Sequence, residues 1–314
     1  MINWLVAGAG QAGQCHIAAI KRCSDAVLGG VIDPFLTDDL ARASGAPSVF
    51  KDFESALSAG PADGLIIATP NDVQAAIAQK AIAAGLPVLC EKPVGVSLAE
   101  ARALNQKART AGVPFGVVLN QRAQAHTRWV TSLMQSGHLN PTRVTFTGDL
   151  ARLTGWHAEP SRSGGGVLRT IGLHYLDLLL WWFGTPTLVK VQLRGQPQDH
   201  ACDLAFEFES GCQASVSLQA VKERAAGPVV CIIEGQTGEN AQRVEMHGHQ
   251  IVTASGVSDP PAPEPTDSDF FFGPGHGTLV AEATQALSCK EPFPVTLEDV
   301  LPALTLIEEL YAAA

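Results

Sequence analysis

The spacing with the clearest chemical meaning is a glycine motif close to the first residue. Gly8-Ala9-Gly10-Gln11-Ala12-Gly13 follows a short apolar run, precedes a helix-compatible stretch, and is followed by Asp33 at the end of the second apolar run. In this pattern Gly8 permits a tight turn, Gly10 lets the backbone approach a pyrophosphate, and Gly13 allows close packing of helix and strand. The motif and its context predict a dinucleotide site, with the pyrophosphate resting on the N-terminus of a helix.

Asp33 indicates which dinucleotide to expect. Its carboxylate would accept hydrogen bonds from ribose hydroxyls and repel a 2′-phosphate, and it is followed by Pro34 and Phe35 rather than by an arginine. We therefore expect NAD, with NADP less favoured, and we expect Gln11 and Ala12 to contribute backbone contacts. The alternative is a glycine-rich turn that binds nothing, with Asp33 as a solvated strand end.

The segments around this motif alternate between strand-like and helix-like patterns. Such alternation predicts a parallel, doubly wound sheet of the Rossmann type. The predicted strands are Asn3–Ala7, Ala26–Ile32, Gly64–Ala68, Leu86–Cys90 and Phe115–Leu119, and the predicted helices are Gln11–Arg22, Thr37–Ser44, Val73–Ala84 and Leu98–Ala111.

After about residue 120 the rhythm changes, and most predicted strands follow one another without helices between them. We expect an α/β protein in which an NAD-binding Rossmann domain (1–121) precedes an α+β domain (122–314) for substrate binding and oligomerisation, with an open, mostly antiparallel sheet. The predicted elements are helices at 123–135, 166–183, 278–288 and 297–311, strands at 142–148, 188–193, 203–208, 213–220, 229–234, 243–246 and 250–253, and a proline-rich loop at 257–269.

Composition excludes several classes of partner. Hydrophobic residues make up 46% of the 314 residues and the formal net charge is −10, so nucleic acid and anionic membranes are poor partners. The seven cysteines are scattered without a C-x-x-C pair, which is typical of reduced thiols, and no metal-site spacing is present. Without a recognisable leader or membrane segment, we expect a cytoplasmic protein.

Four further motifs carry a resemblance to a known family. They are Ala68-Thr69-Pro70-Asn71, Cys90-Glu91-Lys92-Pro93, the glycine run 164–166, and Gly172-Leu173-His174-Tyr175-Leu176-Asp177. Together with the glycine motif, they make nearly the whole chain resemble the glucose–fructose oxidoreductase / inositol dehydrogenase family, often written Gfo/Idh/MocA.

The resemblance implies NAD(P)-dependent hydride transfer at a hydroxyl-bearing carbon of a sugar, sugar nucleotide or cyclitol. It implies that Lys92 and His174 flank the reacting carbon and that the peptide bond before Pro93 is cis. A partly desolvated Lys92 would have a lowered pKa, and imidazole titrates near neutral pH, so both groups suit proton transfer. Thr69, Pro70, Asn71, Glu91 and Lys92 are expected to contribute to the cofactor site.

One position departs from the family pattern. Many members carry an aspartate four residues before the histidine, and this chain has Thr170 there. A threonine cannot titrate, so we expect Thr170 to orient the site while Lys92 and His174 carry the proton. The neutral residue disfavours an activity like that of inositol dehydrogenase and favours the relatives that oxidise nucleotide-linked sugars.

The expected substrate contacts are Lys92, His174, Asn120, Arg122, Trp156 and Asp177, of which Asp177 suits an orienting role. Two other functions stay open: glycoside cleavage through a transient NAD-dependent oxidation, and a non-catalytic dinucleotide-sensing regulator. An apolar patch on the outer face of the second sheet, at Val230 and Ile232, predicts a homodimer or homotetramer.

Overall fold

A computed structural model describes residues 1–35, 37, 45–195, 197–221, 227–248, 250–257, 259–261 and 275–314. The chain divides into two compact units. The first comprises Met1–Asn120 and Thr266–Leu301, and the second comprises Gln121–Pro265 and Pro302–Ala314.

The first unit contains a six-stranded parallel sheet in the order β3-β2-β1-β4-β5-β6. Strands β4, β5 and β6 are buried along their whole length, which explains their continuous apolar sequences. The strands are β1 (Ile2–Ala7), β2 (Ala26–Ile32), β3 (Val49–Phe50), β4 (Gly64–Ile67), β5 (Val88–Glu91) and β6 (Phe115–Val118), and the helices are α1 (Gln11–Arg22), α2 (Phe53–Ala59), α3 (Asn71–Ala83) and α4 (Leu98–Ala111).

A late segment of the chain completes this first unit. Helix α9 (Gly275–Cys289) brings Thr284 to Trp4 of β1, whose indole Nε1 donates to the threonine hydroxyl over 3.0 Å in a fully buried pair. The start of α9 also lies so close to Asn120 that a Cβ on Gly275 would stand 2.1 Å from the Asn120 carbonyl oxygen. The sequence assigned all residues after 121 to the second domain, and the structure differs because a helix from the C-terminal part covers this sheet.

The second unit is built on a seven-stranded sheet in the order β13-β12-β11-β7-β10-β9-β8. Every neighbouring pair is antiparallel except β7 and β10. Its strands are β7 (Asn140–Ala151), β8 (Leu188–Arg194), β9 (Ala201–Glu207), β10 (Gln213–Val221), β11 (Val230–Thr237), β12 (Asn240–His247) and β13 (Gln250–Ser255).

Helices pack on this sheet through aromatic side chains, with Phe146 of β7 lying 4.9 Å from Tyr175 between ring centroids. The remaining helices are α5 (Asn120–Ala123), α6 (Ala125–Gln135), a 3-10 turn (Gly155–Ala158), α7 (Pro160–Ser163), a π-helical turn (Leu168–Gly172), α8 (Leu173–Phe183) and α10 (Leu297–Ala313), the last of which crosses the division between the units.

The predicted fold class is confirmed: an α/β chain with a parallel Rossmann sheet and a second, mostly antiparallel sheet. Details of the elements differ from the sequence prediction. The short elements β3, α2, α7 and the 3-10 turn were not predicted. The helix predicted over 123–135 is broken at Gln124, and the helix predicted up to Phe183 begins with a π turn. The helix predicted at Thr37–Ser44 and most of the loop at 257–269 lie outside the described residues.

The described helices include none that combines the length and the apolar character needed to cross a membrane.

Candidate functional site

The glycine turn has the close approaches that its sequence predicts. Gly8 has a φ of +96°, and a Cβ there would lie 2.5 Å from the carbonyl oxygen of Ala68. A Cβ on Gly13 would lie 2.0 Å from the Gly8 carbonyl oxygen, whereas a Cβ on Gly10 would meet nothing within 4 Å. Gly8 and Gly13 therefore lack side chains because the backbone is crowded, while Gly10 faces open space.

The N-terminus of α1 suits an anion. Gly10 occupies the N-cap position, and no side chain caps the helix in the described part of the chain. Gly10 and Gln11 are exposed and Ala12 is half-buried, so the first backbone N–H groups face an accessible surface, where the helix dipole favours negative charge. These residues fit the pyrophosphate of a dinucleotide.

Asp33 is joined to the glycine turn. Its Oδ2 accepts a hydrogen bond from the Ala9 N–H over 2.9 Å, and its Oδ1 accepts one from the Phe35 N–H over 2.9 Å. A carboxylate oxygen has two lone pairs, so both oxygens keep capacity to accept from ribose hydroxyls. The side chain is half-buried at the end of β2, where a ribose next to the pyrophosphate is expected.

The Thr69-Pro70-Asn71 turn follows β4 and opens α3. Asn71 is buried, and Thr69 and Pro70 are half-buried. The buried Gln74 connects this turn to the segment after β5, since its Oε1 accepts from the Gly95 N–H over 2.8 Å and its Nε2 donates to the Thr69 carbonyl over 3.4 Å. Sequence spacing does not indicate a role for Gln74, because its partners are 5 and 21 residues away and belong to two different turns.

Glu91, the last residue of β5, is held by two histidines. Its Oε1 lies 2.9 Å from Nε2 of His16 on α1 and 3.4 Å from Nε2 of His276 on α9, and all three side chains are buried. Burial opposes ionisation of Glu91, but hydrogen bonds from His16 and His276 outweigh it and hold the pKa of the carboxyl well below its usual range.

These three groups also form a cluster whose possible ligand atoms lie within 4.8 Å of one another. His16 and Glu91 are 2.9 Å apart, the distance of a charge-assisted hydrogen bond, and His276 and Glu91 are 3.4 Å apart, at the long end of hydrogen-bond distances. The three side chains form a hydrogen-bonded cluster, and the absence of a metal site stays a prediction.

Lys92 follows Glu91 directly and is half-buried. Burial lowers the pKa of its amine, and the negative charge of Glu91 opposes that shift. The direction agrees with the one expected from the sequence. The peptide bond between Lys92 and Pro93 is cis, as the resemblance implied.

The carboxyl ends of parallel strands share one edge of a sheet, which brings these predicted cofactor residues together. The turns after β1, β2, β4, β5 and β6 lie at that edge, where ligands of doubly wound sheets bind. Asn120, which follows β6, is buried at the same edge.

In the second unit, Thr170 lies on the π turn, and His174 and Asp177 lie on α8. The Thr170 hydroxyl donates its hydrogen bond to the Gly166 carbonyl over 2.7 Å. This is a bond from a side chain to the backbone of the same turn. His174 is buried with 9% of its surface exposed. A π turn beside a predicted catalytic helix is a common feature of functional sites.

Arg122 and Asp177 bind each other. The guanidinium donates to both carboxylate oxygens over 2.7 and 2.6 Å, and it lies 5.1 Å above the ring of Trp181. The Asp177 side chain is 2% exposed. This pairing supports the orienting role expected for Asp177, and it uses two of the five N–H donors of Arg122. The role of Arg122 as a substrate contact stays a prediction.

Trp156 lies on the 3-10 turn of the second unit and is half-buried. Its ring stacks on His157 with centroids 3.6 Å apart. One indole face is therefore occupied by a neighbouring ring, and a sugar would have to stack on the other.

The parallel sheet, with its glycine turn and Asp33, has the features of a Rossmann-type unit that can hold a dinucleotide. Residues 2–119 match the model of the oxidoreductase family with an NAD-binding Rossmann fold, GFO_IDH_MocA, and residues 130–250 match the GFO/IDH/MocA C-terminal domain. The chain therefore belongs to the GFO/IDH/MocA oxidoreductase family, which confirms the predicted family, cofactor class and enzyme class.

Similar proteins agree with this placement. The chain is 26% identical to the rhizopine catabolism protein MocA of Rhizobium meliloti, over 96% of this chain and 91% of that protein. It is 24% identical to an inositol 2-dehydrogenase of Rhizobium meliloti strain 1021, over 89% and 83%. The WlbA dehydrogenase from Bordetella pertussis, solved with NADH and UDP-GlcNAcA, has the same fold, with a TM-score of 0.82, 22% identity, and coverage of 100% and 96%.

Proposed function

We propose that this protein is an NAD-dependent dehydrogenase that oxidises a hydroxyl-bearing carbon of a sugar, sugar nucleotide or cyclitol. The observation that carries the proposal is the position of Lys92. This half-buried residue, whose amine has a pKa lowered by burial, follows β5 at the sheet edge that also bears the glycine turn and Asp33. Inositol 2-dehydrogenase and WlbA dehydrogenase are names of similar proteins, and they support the substrate class.

The backbone of Gly10, Gln11 and Ala12 would hold the pyrophosphate, and Asp33 would hold the adenosine ribose. Thr69, Pro70, Asn71 and Glu91 would line the rest of the cofactor site. NAD, when bound, supplies the acceptor for the hydride that leaves the alcohol carbon.

The neutral amine of Lys92 would accept the proton of the substrate hydroxyl. The lowered pKa of Lys92 favours this neutral form. His174 would accept or relay the same proton. Thr170 and Asp177 would orient these groups, since one holds the π turn and the other is fixed by Arg122. Asn120, Arg122 and Trp156 would contact the substrate.

The experiment is a substrate panel of cyclitols, free sugars and nucleotide sugars with NAD, in which reduced nicotinamide and product are followed together. The proposal predicts that at least one of these substrate classes gives reduced nicotinamide and oxidised product in equal amounts. Glycoside cleavage without net reduced nicotinamide would identify the transient-oxidation alternative instead. Tight NAD binding without turnover across the whole panel would favour the regulator.

A further inference from the structure

The two histidines around Glu91 are not needed by the roles proposed so far. His16, Glu91 and His276 are 0%, 8% and 3% exposed, and they come from three separate elements, α1, β5 and α9. Burying three ionisable side chains is costly unless each is compensated. The cluster lies next to the lysine of the proposed function, because Glu91 precedes Lys92 directly.

The hydrogen-bond pattern indicates where His16 carries its proton. An ionised carboxylate only accepts, so an imidazole nitrogen that hydrogen-bonds to it carries the proton. Nδ1 of His16 is buried and has no hydrogen-bond partner among the described residues. A second proton there would be unsatisfied, and burial lowers the pKa of His16 although Glu91 opposes this. His16 is therefore a neutral donor through Nε2, and the negative charge of Glu91 is not cancelled by it.

We propose that His16 and His276 are positioning residues that hold Glu91 as a fixed negative charge beside Lys92, and that this charge sets the proton affinity of the lysine amine. This inference rests on the role of Lys92 in the proposed function. It predicts that the pH range of catalysis is set by side chains from α1 and α9 that do not contact the substrate.

Among the described residues, titratable groups from α1, α9 and β5 lie around Glu91. The negative charge of Glu91 raises the pKa of the Lys92 amine against the effect of burial. Glu91 itself is faced by His16 from α1 and His276 from α9. Its strand neighbour Cys90 is a buried thiol whose pKa is raised by burial and by Glu91, so it stays neutral.

The first experiment measures the ionisation of Lys92 without using turnover. Full-length protein is labelled with a small amine-reactive reagent across a pH series, and mass spectrometry quantifies labelling of the Lys92 peptide. In Glu91→Gln we expect the labelling midpoint to move to lower pH by about one unit or more, because the opposing charge is gone. The exposed Lys107 in the same samples is the internal control and should not move.

A matched pair tests the histidines. His16→Leu removes the donor, raises the proton affinity of Glu91, and should shift the Lys92 midpoint in the same direction by a smaller amount. His16→Gln retains a side-chain N–H and should keep the wild-type midpoint. His276→Leu and His276→Gln repeat the comparison on the other helix, and they carry the test if Glu91→Gln fails to fold.

The acid limb of the pH profile of kcat/KM connects the result to catalysis. It should move with the labelling midpoint. An unchanged midpoint in folded Glu91→Gln, or in both leucine variants, would overturn the inference. If the labelling midpoint shifts while the acid limb stays in place, the effect of Glu91 on Lys92 is supported. The role of Lys92 in the proposed function is then refuted.

Discussion

An added methyl group would enter open space at Gly10 and a crowded backbone at Gly13. We expect Gly10→Ala to fold with a free energy of unfolding within about 1 kcal/mol of wild type, since the site is open and only the helix cap changes. Its affinity for NAD should fall by about tenfold or more, because the methyl group occupies the space left for the pyrophosphate. Calorimetric titration and thermal unfolding measure the two quantities.

Gly13→Ala is the matched variant. Its Cβ would lie 2.0 Å from the Gly8 carbonyl oxygen, so both the free energy of unfolding and NAD binding should decrease. Unchanged NAD affinity in Gly10→Ala would contradict the assignment of the turn to the pyrophosphate.

Asp33 should control the choice between NAD and NADP. Asp33→Ser removes the negative charge that would repel a 2′-phosphate while keeping a hydroxyl for the ribose. We expect NAD binding to weaken and NADP binding to strengthen, which shifts the ratio of their dissociation constants by about tenfold or more. Titration of both cofactors against wild type and variant measures the ratio, and an unchanged ratio would remove Asp33 from the ribose site.

Sequence spacing predicted the residues of single local motifs but not the tertiary partnerships. Gly8, Gly13 and Asp33 could be found because the fingerprint has a fixed length. The role of His16 could not, since its partner Glu91 is 75 residues away. In the sequence His16 is a single histidine on a predicted helix, which is equally typical of a core residue.

At the scale of elements, Asp199 organises the start of the helix that carries His174. Its two oxygens accept from the N–H groups of Gly166 and Leu168 over 2.9 and 2.8 Å and from the Tyr311 hydroxyl over 2.7 Å. A Cβ on Gly166 would lie 1.8 Å from the Asp199 carbonyl oxygen, which explains why this position is a glycine. Asp199 is 5% exposed, so its carboxylate makes these hydrogen bonds away from solvent.

We expect Asp199→Asn to lower the free energy of unfolding by at least about 2 kcal/mol, because charge-assisted bonds to two backbone donors are lost. Tyr311→Phe removes one hydroxyl and should cost about 1 kcal/mol. Denaturant unfolding measures both. If the two variants lost the same amount, the carboxylate would not be the group that holds this turn.

Local end signals explain why one helix was predicted to the residue. Helix α4 is capped by the Ser97 hydroxyl and ends at Gly112 in the left-handed conformation. The π turn at Leu168–Gly172 has no such local signal, since it depends on Asp199, which is more than thirty residues away along the chain. Elements β3 and α2 are 2 and 7 residues long, too short for periodicity to detect.

At the scale of the whole molecule, the Rossmann unit depends on a segment from the C-terminal part. A fragment of residues 1–121 lacks α9, which contributes Thr284 to Trp4 and packs its first turn on Asn120. We expect this fragment to show no cooperative thermal unfolding. A chain that joins 1–120 to 275–301 through a flexible linker should recover it, and a cooperative transition in the short fragment would show that α9 is dispensable.

The central claim is that the glycine turn holds NAD while Lys92 handles the proton, and Lys92→Ala separates the two. On one preparation, calorimetry should give an NAD dissociation constant within about tenfold of wild type, while turnover of the substrate found in the panel falls by about a thousandfold or more. Turnover that survives in a variant with normal NAD binding would contradict the account.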